Sequence, residues 1–258
     1  MTQNPAFRHA GMAVQDGIAT LTIQDARSLN ILSAAVIADL TQAVNSLAQR
    51  DDIRVLIVRG TGDKAFTGGA DIKEMAALTS ATAEPFINAL RALCDSVRYF
   101  PAPVIARIPG WCLGGGLEWV MACDFRIAAD TAQFGMPEVK VGIPSVIHAA
   151  LMPRLIGQAQ ARWMLLTGEN INAQQALAWG LVNSVVPLAQ LDAEVARVAA
   201  MLAALGPAVL RQQKRLLREW EDAPLNDSIA NSVTAFCGAF DTGEPQRYMG
   251  EFFARKGK

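Results

Sequence analysis

Apolar and polar side chains alternate from Ile18 through Ala19, Thr20, Leu21 and Thr22 to Ile23, the period of a strand with one face covered. With Gln15-Asp16-Gly17 as its turn, the stretch 11–24 is predicted to form a hairpin. The period then lengthens. Over 33–49, Val36, Leu40, Val44 and Leu47 recur at helical spacing and predict an amphipathic helix. The β-branched run 52–60 ends in glycine and reads as a buried strand, followed by a Gly- and Ala-rich loop over 61–75. A helix over roughly 82–98, a strand over 103–108, a glycine loop, a short helix carrying Glu118 and a strand over 124–129 come next. Strand pairs mixed with single helices predict an α/β fold, helices packed around sheets, with a strand–strand–helix unit that recurs loosely as in a spiral. From about residue 189 strand signals vanish. Helices are predicted over 191–203, 206–221, 225–240 and 244–256, broken at Gly206-Pro207, Pro224 and Gly243. Their apolar faces have little core of their own, so this tail is expected to pack on the body, on a neighbouring subunit, or on both. The expected division is a core over 1–190 and a C-terminal helical region over 191–258.

Composition narrows the function classes. A chain of 258 residues can bury one substantial core, and 52% hydrophobic content excludes a disordered or solvating protein. No apolar run approaches the roughly 20 residues of a membrane span, and no secretory signal pattern opens the chain. A formal net charge of −1 argues against a nucleic-acid footprint and against attraction to anionic membranes. An anionic ligand would therefore have to be met by local basic residues. Cys94, Cys112, Cys123 and Cys237 show no C-x-x-C spacing and are expected to be buried, reduced thiols of a cytoplasmic protein. His9 and His148 are the only histidines, so a His-rich metal site cannot be assembled and no metal is expected. Metalloprotease, P-loop and nucleophile-elbow patterns are absent.

Three segments carry candidate chemistry. The first runs from Gly62 to Met75, after a buried strand and before a helix, where the carboxyl end of a strand often meets ligand. Its small residues Gly68, Gly69 and Ala70 would expose backbone amides, or serve a tight turn. The second, Gly114-Gly115-Gly116-Leu117-Glu118, places an acid in a first helical turn, which helix-end electrostatics alone also favours. In the third, Glu138 follows Pro137 in apolar surroundings that would desolvate it and raise its pKa. Two carboxyls flanking an oxyanion site would divide acid and base work once their environments push their pKa values apart.

Taken in this order the segments resemble the crotonase, or enoyl-CoA hydratase/isomerase, family. The resemblance is carried by Lys64-Ala65-Phe66-x-x-Gly69-Ala70-Asp71-Ile72-Lys73-Glu74-Met75, by Gly114-Gly115-Gly116-x-Glu118, and by Ala132-Gln133-Phe134-Gly135-x-Pro137-Glu138. Leu166-Thr167-Gly168-Glu169, Gly180-Leu181-Val182, Val185-Val186-Pro187, and Phe252 with Arg255-Lys256 look like further landmarks. The resemblance implies a crotonase-like spiral of strand–strand–helix units with a C-terminal helical region that makes homotrimers or homohexamers. It implies an acyl-CoA thioester as substrate, with coenzyme A part of that substrate and no separate cofactor. It carries over Ala70 and Gly115 as oxyanion donors, Glu118 as water activator and Glu138 as proton donor to C2, roles that can interchange because the pair titrates as a unit. The substrate-binding set is Arg27, Ser28, Leu29, Ala65, Phe66, Gly69, Asp71, Ile72, Gly114, Ser145, Phe252 and Lys256, with Arg27 first and Lys73 and Lys256 next for the CoA phosphates.

One stretch departs from the family pattern. Where many hydratases carry glycines behind the second glutamate, this chain has Gly142-Ile143-Pro144-Ser145-Val146-Ile147-His148, one residue shorter and bulkier. Ser145 is expected to offer a backbone N–H and cap the helix that follows. His148 either packs in the body or faces the pocket.

Overall fold

The protein is described from a computed structural model, which covers residues 7–256; the Lys256 side chain lies outside the described residues, and so does its candidate role. Strands β1 (Ala10–Gln15) and β2 (Ile18–Ile23) pair antiparallel. Their two-residue turn places Asp16 at φ 51° and Gly17 at φ 77°, the left-handed pair whose twist suits a hairpin. Helix α1 (Ala34–Ala48) starts where the Ser33 side chain accepts the Val36 N–H, and it buries Val36, Ile37, Leu40, Val44 and Leu47. Then come β3 (Val55–Gly60), β4 (Ala65–Thr67), α2 (Ile72–Ala76) and α3 (Ser80–Arg98). Strands β5 (Val104–Ile108) and β6 (Trp111–Leu113) lead into α4 (Gly115–Met121), and β7 (Phe125–Ala129) and β8 (Gln133–Gly135) into a 3-10 turn, Pro137–Val141. Helices α5 (Met152–Ile156) and α6 (Gln158–Thr167), strand β9 (Ile171–Asn172), α7 (Ala173–Ala178) and β10 (Ser184–Val186) close the body. Four helices follow: α8 (Leu191–Ala203), α9 (Pro207–Asp222), α10 (Leu225–Ala239) and α11 (Glu244–Lys256).

The strands form two sheets. The larger has the order β1-β2-β3-β5-β7-β10, parallel from β2 onward, and the smaller has the order β4-β6-β8-β9. Each winding of the chain thus leaves one strand in each sheet: β3 then β4, β5 then β6, β7 then β8. That is the predicted spiral. The second strand of each pair is only three residues long, too short to show a period, which is why the 61–75 loop hides β4 and α2.

Alternation along the larger sheet sends side chains to two cores. Leu56, Val58, Val104, Ala106 and Ala128 face α1, α3 and α4. Val55, Ile57, Ile105, Ile127 and Ala129 face Leu191, Val195, Val198, Ala199 and Leu202 of α8. Helix α8 therefore covers the body, although it follows residue 190, where the sequence reading ended the core. Helix α9 is moored by a charge cluster: buried Lys214 Nζ meets Asp124 at 2.7 Å and the carbonyls of Val97 and Ala102 at 3.2 and 3.0 Å, and Arg218 meets Asp124 at 2.8 Å. Beyond it, α10 and α11 expose Leu225, Ile229, Val233, Phe236, Met249 and Phe253. Three cysteines are buried as expected; Cys237, on α10, is exposed instead, because that helix has no cover in the single chain. No single described helix is long and apolar enough to cross a membrane.

Candidate active site

The parallel ladder β4–β6–β8 brings the three sequence segments side by side. Thr67 pairs with Cys112 and Leu113 with Gly135, so the chain leaves all three strands at the same edge. From β4 it passes through Gly68-Gly69-Ala70 into α2, from β6 through Gly114 into α4, and from β8 through Met136-Pro137 to Glu138. Ligands commonly sit beyond the carboxyl ends of parallel strands. A cavity of about 630 Å³ lies there, and Gly69, Ala70, Ile72, Gly114, Gly115, Glu118 and Glu138 all line it.

Two glycines make the close approach possible. Gly69, at φ 92°, packs against β6 so tightly that a Cβ would stand 2.8 Å from the Leu113 carbonyl oxygen. Gly114, at φ 53°, leaves room for Glu138, whose Oε1 would lie 2.6 Å from a Cβ there. The Ala70 and Gly115 backbone N–H groups on the two turns have no acceptor within the chain among the recorded hydrogen bonds. Gly115 is the first residue of α4, where helix geometry supplies no acceptor. Ala70 forms an isolated parallel bridge with Leu32 whose hydrogen bonds use the Gly69 carbonyl and the Asp71 N–H, not its own.

Glu118 is buried in the first turn of α4, at 3% exposure. Its Oε2 accepts the His148 N–H at 2.9 Å and the Ala149 N–H at 3.3 Å. Burial foremost, then the Glu138 charge, pushes its pKa up to about 8 against the pull of those two amides. Burial also raises Glu138, opposed by its own backbone and by the Ser145 hydroxyl, which donates to Oε2 at 2.9 Å. Ile147, which precedes the two amides, holds φ at 40°, a costly conformation for a β-branched residue. The strain is stored where it aims the His148 and Ala149 amides at a buried carboxyl.

The remaining candidates divide. Asp71 caps α2 by accepting the Lys73 N–H at 3.0 Å, and its other oxygen pairs with Arg27 at 2.9 Å. Arg27 is thus tied to the start of α2 rather than free, although most of its side chain stays in solvent. Ser28 is exposed, and the Leu29 carbonyl accepts the Gly68 N–H at 2.7 Å; neither side chain lines the cavity. The Ala65 and Phe66 side chains belong to the core and do not line the cavity. Both side chains are buried in β4, and the Phe66 ring lies 5.3 Å from that of Trp119. Lys73 is exposed and does not line the cavity. Phe252, on α11, is half exposed with its ring edge-on to Phe253, and it too is absent from the cavity wall. Ser145 does not cap the following turn; that position falls to Val146, and the Ser145 hydroxyl serves Glu138 instead. The His148 ring turns away from the cavity to Asp95, 3.2 Å from Nε2, so its backbone reaches the site and its ring does not.

The sequence reading missed the apolar wall. Ala83, Phe86, Ile87 and Leu90 of α3 face Ile72, Met75 and Leu78 across the cavity, with Val141, Ile143 and Val146 beside them. The helical spacing of the α3 four was the available signal.

The comparisons agree with this architecture. The family model for enoyl-CoA hydratase/isomerase matches residues 13–257. A crotonyl-CoA hydratase of Syntrophomonas wolfei is 32% identical, with 97% of each chain covered. An (E)-benzylidenesuccinyl-CoA hydratase of Thauera aromatica is 35% identical over 86% of each. The crystal structure of an enoyl-CoA hydratase from Bacillus anthracis superposes with a TM-score of 0.92 at 30% identity, covering 96% of this chain and 97% of that one. Matching motifs, topology and length together, the chain belongs to the enoyl-CoA hydratase/isomerase family.

Proposed function

We propose that this protein is an enoyl-CoA hydratase that adds water across the C2=C3 bond of a 2-enoyl-CoA thioester. The observation that carries the reading is one cavity wall with two unengaged backbone N–H groups, Ala70 and Gly115, beside the buried carboxyl of Glu118 and the half-buried one of Glu138. The thioester oxygen gains negative charge as water attacks C3, and backbone donors aimed at such an oxygen contribute about 3–4 kcal/mol each to the transition state. The two carboxyls share one proton near neutrality, because burial and mutual repulsion disfavour two charges. Burial raises both carboxyls and each charge repels the other, so the proton belongs to the pair. The ionised member takes a proton from the water that attacks C3, and the protonated member delivers one to C2.

The apolar wall from α2, α3 and 141–146 supports an acyl chain without charge at its far end. The relatives are named for acyl groups as unlike as crotonyl and benzylidenesuccinyl, so chain length and branching are left to assay. Arg27 is assigned to the CoA phosphates, steered by Asp71. The exposed faces of α10 and α11 support a homotrimer or a pair of trimers, and the four unpaired cysteines support a reducing, cytoplasmic setting. No cofactor beyond the substrate's own coenzyme A enters this chemistry.

A panel of 2-enoyl-CoA thioesters, followed by loss of the conjugated double bond in heavy-oxygen water, tests the reading. The expected product carries one labelled oxygen, and Glu118→Gln and Glu138→Gln each lower the rate by ~10²–10⁴-fold. Double-bond migration without label, or wild-type rates in both variants, would sink it.

A further inference from the structure

The stretch behind Glu138 that departs from the family pattern touches both carboxyls, and by different means. The His148 and Ala149 amides, which reach Glu118, belong to the backbone and survive any side-chain change. The contact to Glu138 is a side chain: Ser145 Oγ lies 2.9 Å from Oε2. The other oxygen, Oε1, rests against Gly114, where a Cβ would come within 2.6 Å. The carboxyl is thus gripped at both edges, and Ser145 makes the one side-chain hydrogen bond recorded for it among the described residues. A hydroxyl donating to a carboxylate makes a charge-assisted bond, roughly twice as strong as its neutral counterpart.

We propose that Ser145 is a positioning residue of the carboxylate pair: its hydroxyl holds Glu138 ionised and fixed against Gly114, which leaves the shared proton on Glu118. The catalytic consequence rests on the hydratase reading; the hydrogen bond and its effect on Glu138 do not. Glu118 of α4, Glu84 of α3 and Lys140 of the Glu138 turn are the ionisable groups on the same cavity. Lys140 is engaged by Glu169 at 2.8 Å. On the far side of Glu118, Asp95 pairs with the His148 ring and with Arg91. None of these replaces the Ser145 hydroxyl on Glu138.

Ser145→Ala and Ser145→Gly remove the hydroxyl, and Ser145→Thr keeps it. The first readout is titration of Glu138 by carbon-13 NMR of carboxyl-labelled glutamate in the full-length protein, with Glu118→Gln as background so that one member of the pair titrates. Without the hydroxyl the Glu138 midpoint is expected to rise by about one pH unit, and with threonine to return. The second readout is the acid limb of kcat/KM, expected to move upward by the same amount with little change in KM for the thioester. An unchanged midpoint in both hydroxyl-free variants overturns the proposal, as does an equal shift in Ser145→Thr. If no enoyl-CoA is hydrated by the wild-type protein, the functional reading fails while the titration still decides the role of Ser145.

Discussion

Glu118 shows most plainly how one residue's environment makes it chemical. The same glutamate in water would ionise near 4.5, but burial and the neighbouring carboxyl hold its proton to about 8. Its folded pKa lies above its unfolded one, so the folded state binds the proton more tightly between those values. The resulting stability is complete below pH 4.5 and is lost as pH rises through 8. Glu118→Gln keeps the side-chain shape and an acceptor for the His148 amide while removing the ionisation. The variant is expected to gain several kcal/mol relative to wild type between pH 5 and pH 8, while losing activity. Denaturant unfolding at those two pH values checks it; parallel behaviour of the two proteins would refute the burial argument. The sequence showed the acid and its glycines, but the amides that seat it come from His148 and Ala149, and no local rule links those positions.

Among elements, the short strands β4, β6 and β8 matter more than their length implies. They have little core of their own, yet their parallel register delivers three distant segments to one edge. Helix α9 shows the opposite economy, a polar helix moored through buried Lys214 to Asp124 and to the carbonyls of Val97 and Ala102. Burial works against the Lys214 charge and lowers its pKa, while Asp124 pulls it back up. Lys214→Ala leaves Asp124 and those carbonyls short of a partner in a buried place. We expect a loss of about 3 kcal/mol, seen as a lower denaturant midpoint with α9 opening first in hydrogen exchange. A change below about 0.5 kcal/mol would mean that Arg218 alone satisfies Asp124.

At the scale of the whole molecule, two cores face opposite sides of one sheet, and an apolar surface on α10 and α11 is left without cover. Val233 and Phe236 are 64% and 69% exposed in the single chain, more than a lone surface residue needs. Phe236→Asp with Val233→Asp is expected to lower the assembled mass measured by light scattering, and to make thermal stability independent of protein concentration. A wild-type protein that already runs as a monomer at micromolar concentration would remove the assembly from the proposed function.

Local pattern was enough for the elements with a period long enough to read: the hairpin at Asp16-Gly17, helix α1, the buried strands of the larger sheet and the four C-terminal helices. It also named the two candidate acids and the glycine turns, which the fold brings to one cavity, because the proposed chemistry needs specific residue types in a specific order. Long-range packing places Phe66 in the core, brings the Ser145 hydroxyl to Glu138, turns the His148 ring to Asp95 and lays α8 over the sheet. These outcomes depend on which side of a three-residue strand faces inward and on where two turns far apart in the chain approach each other. Such relations are set by packing against distant residues, and a local pattern carries no record of them.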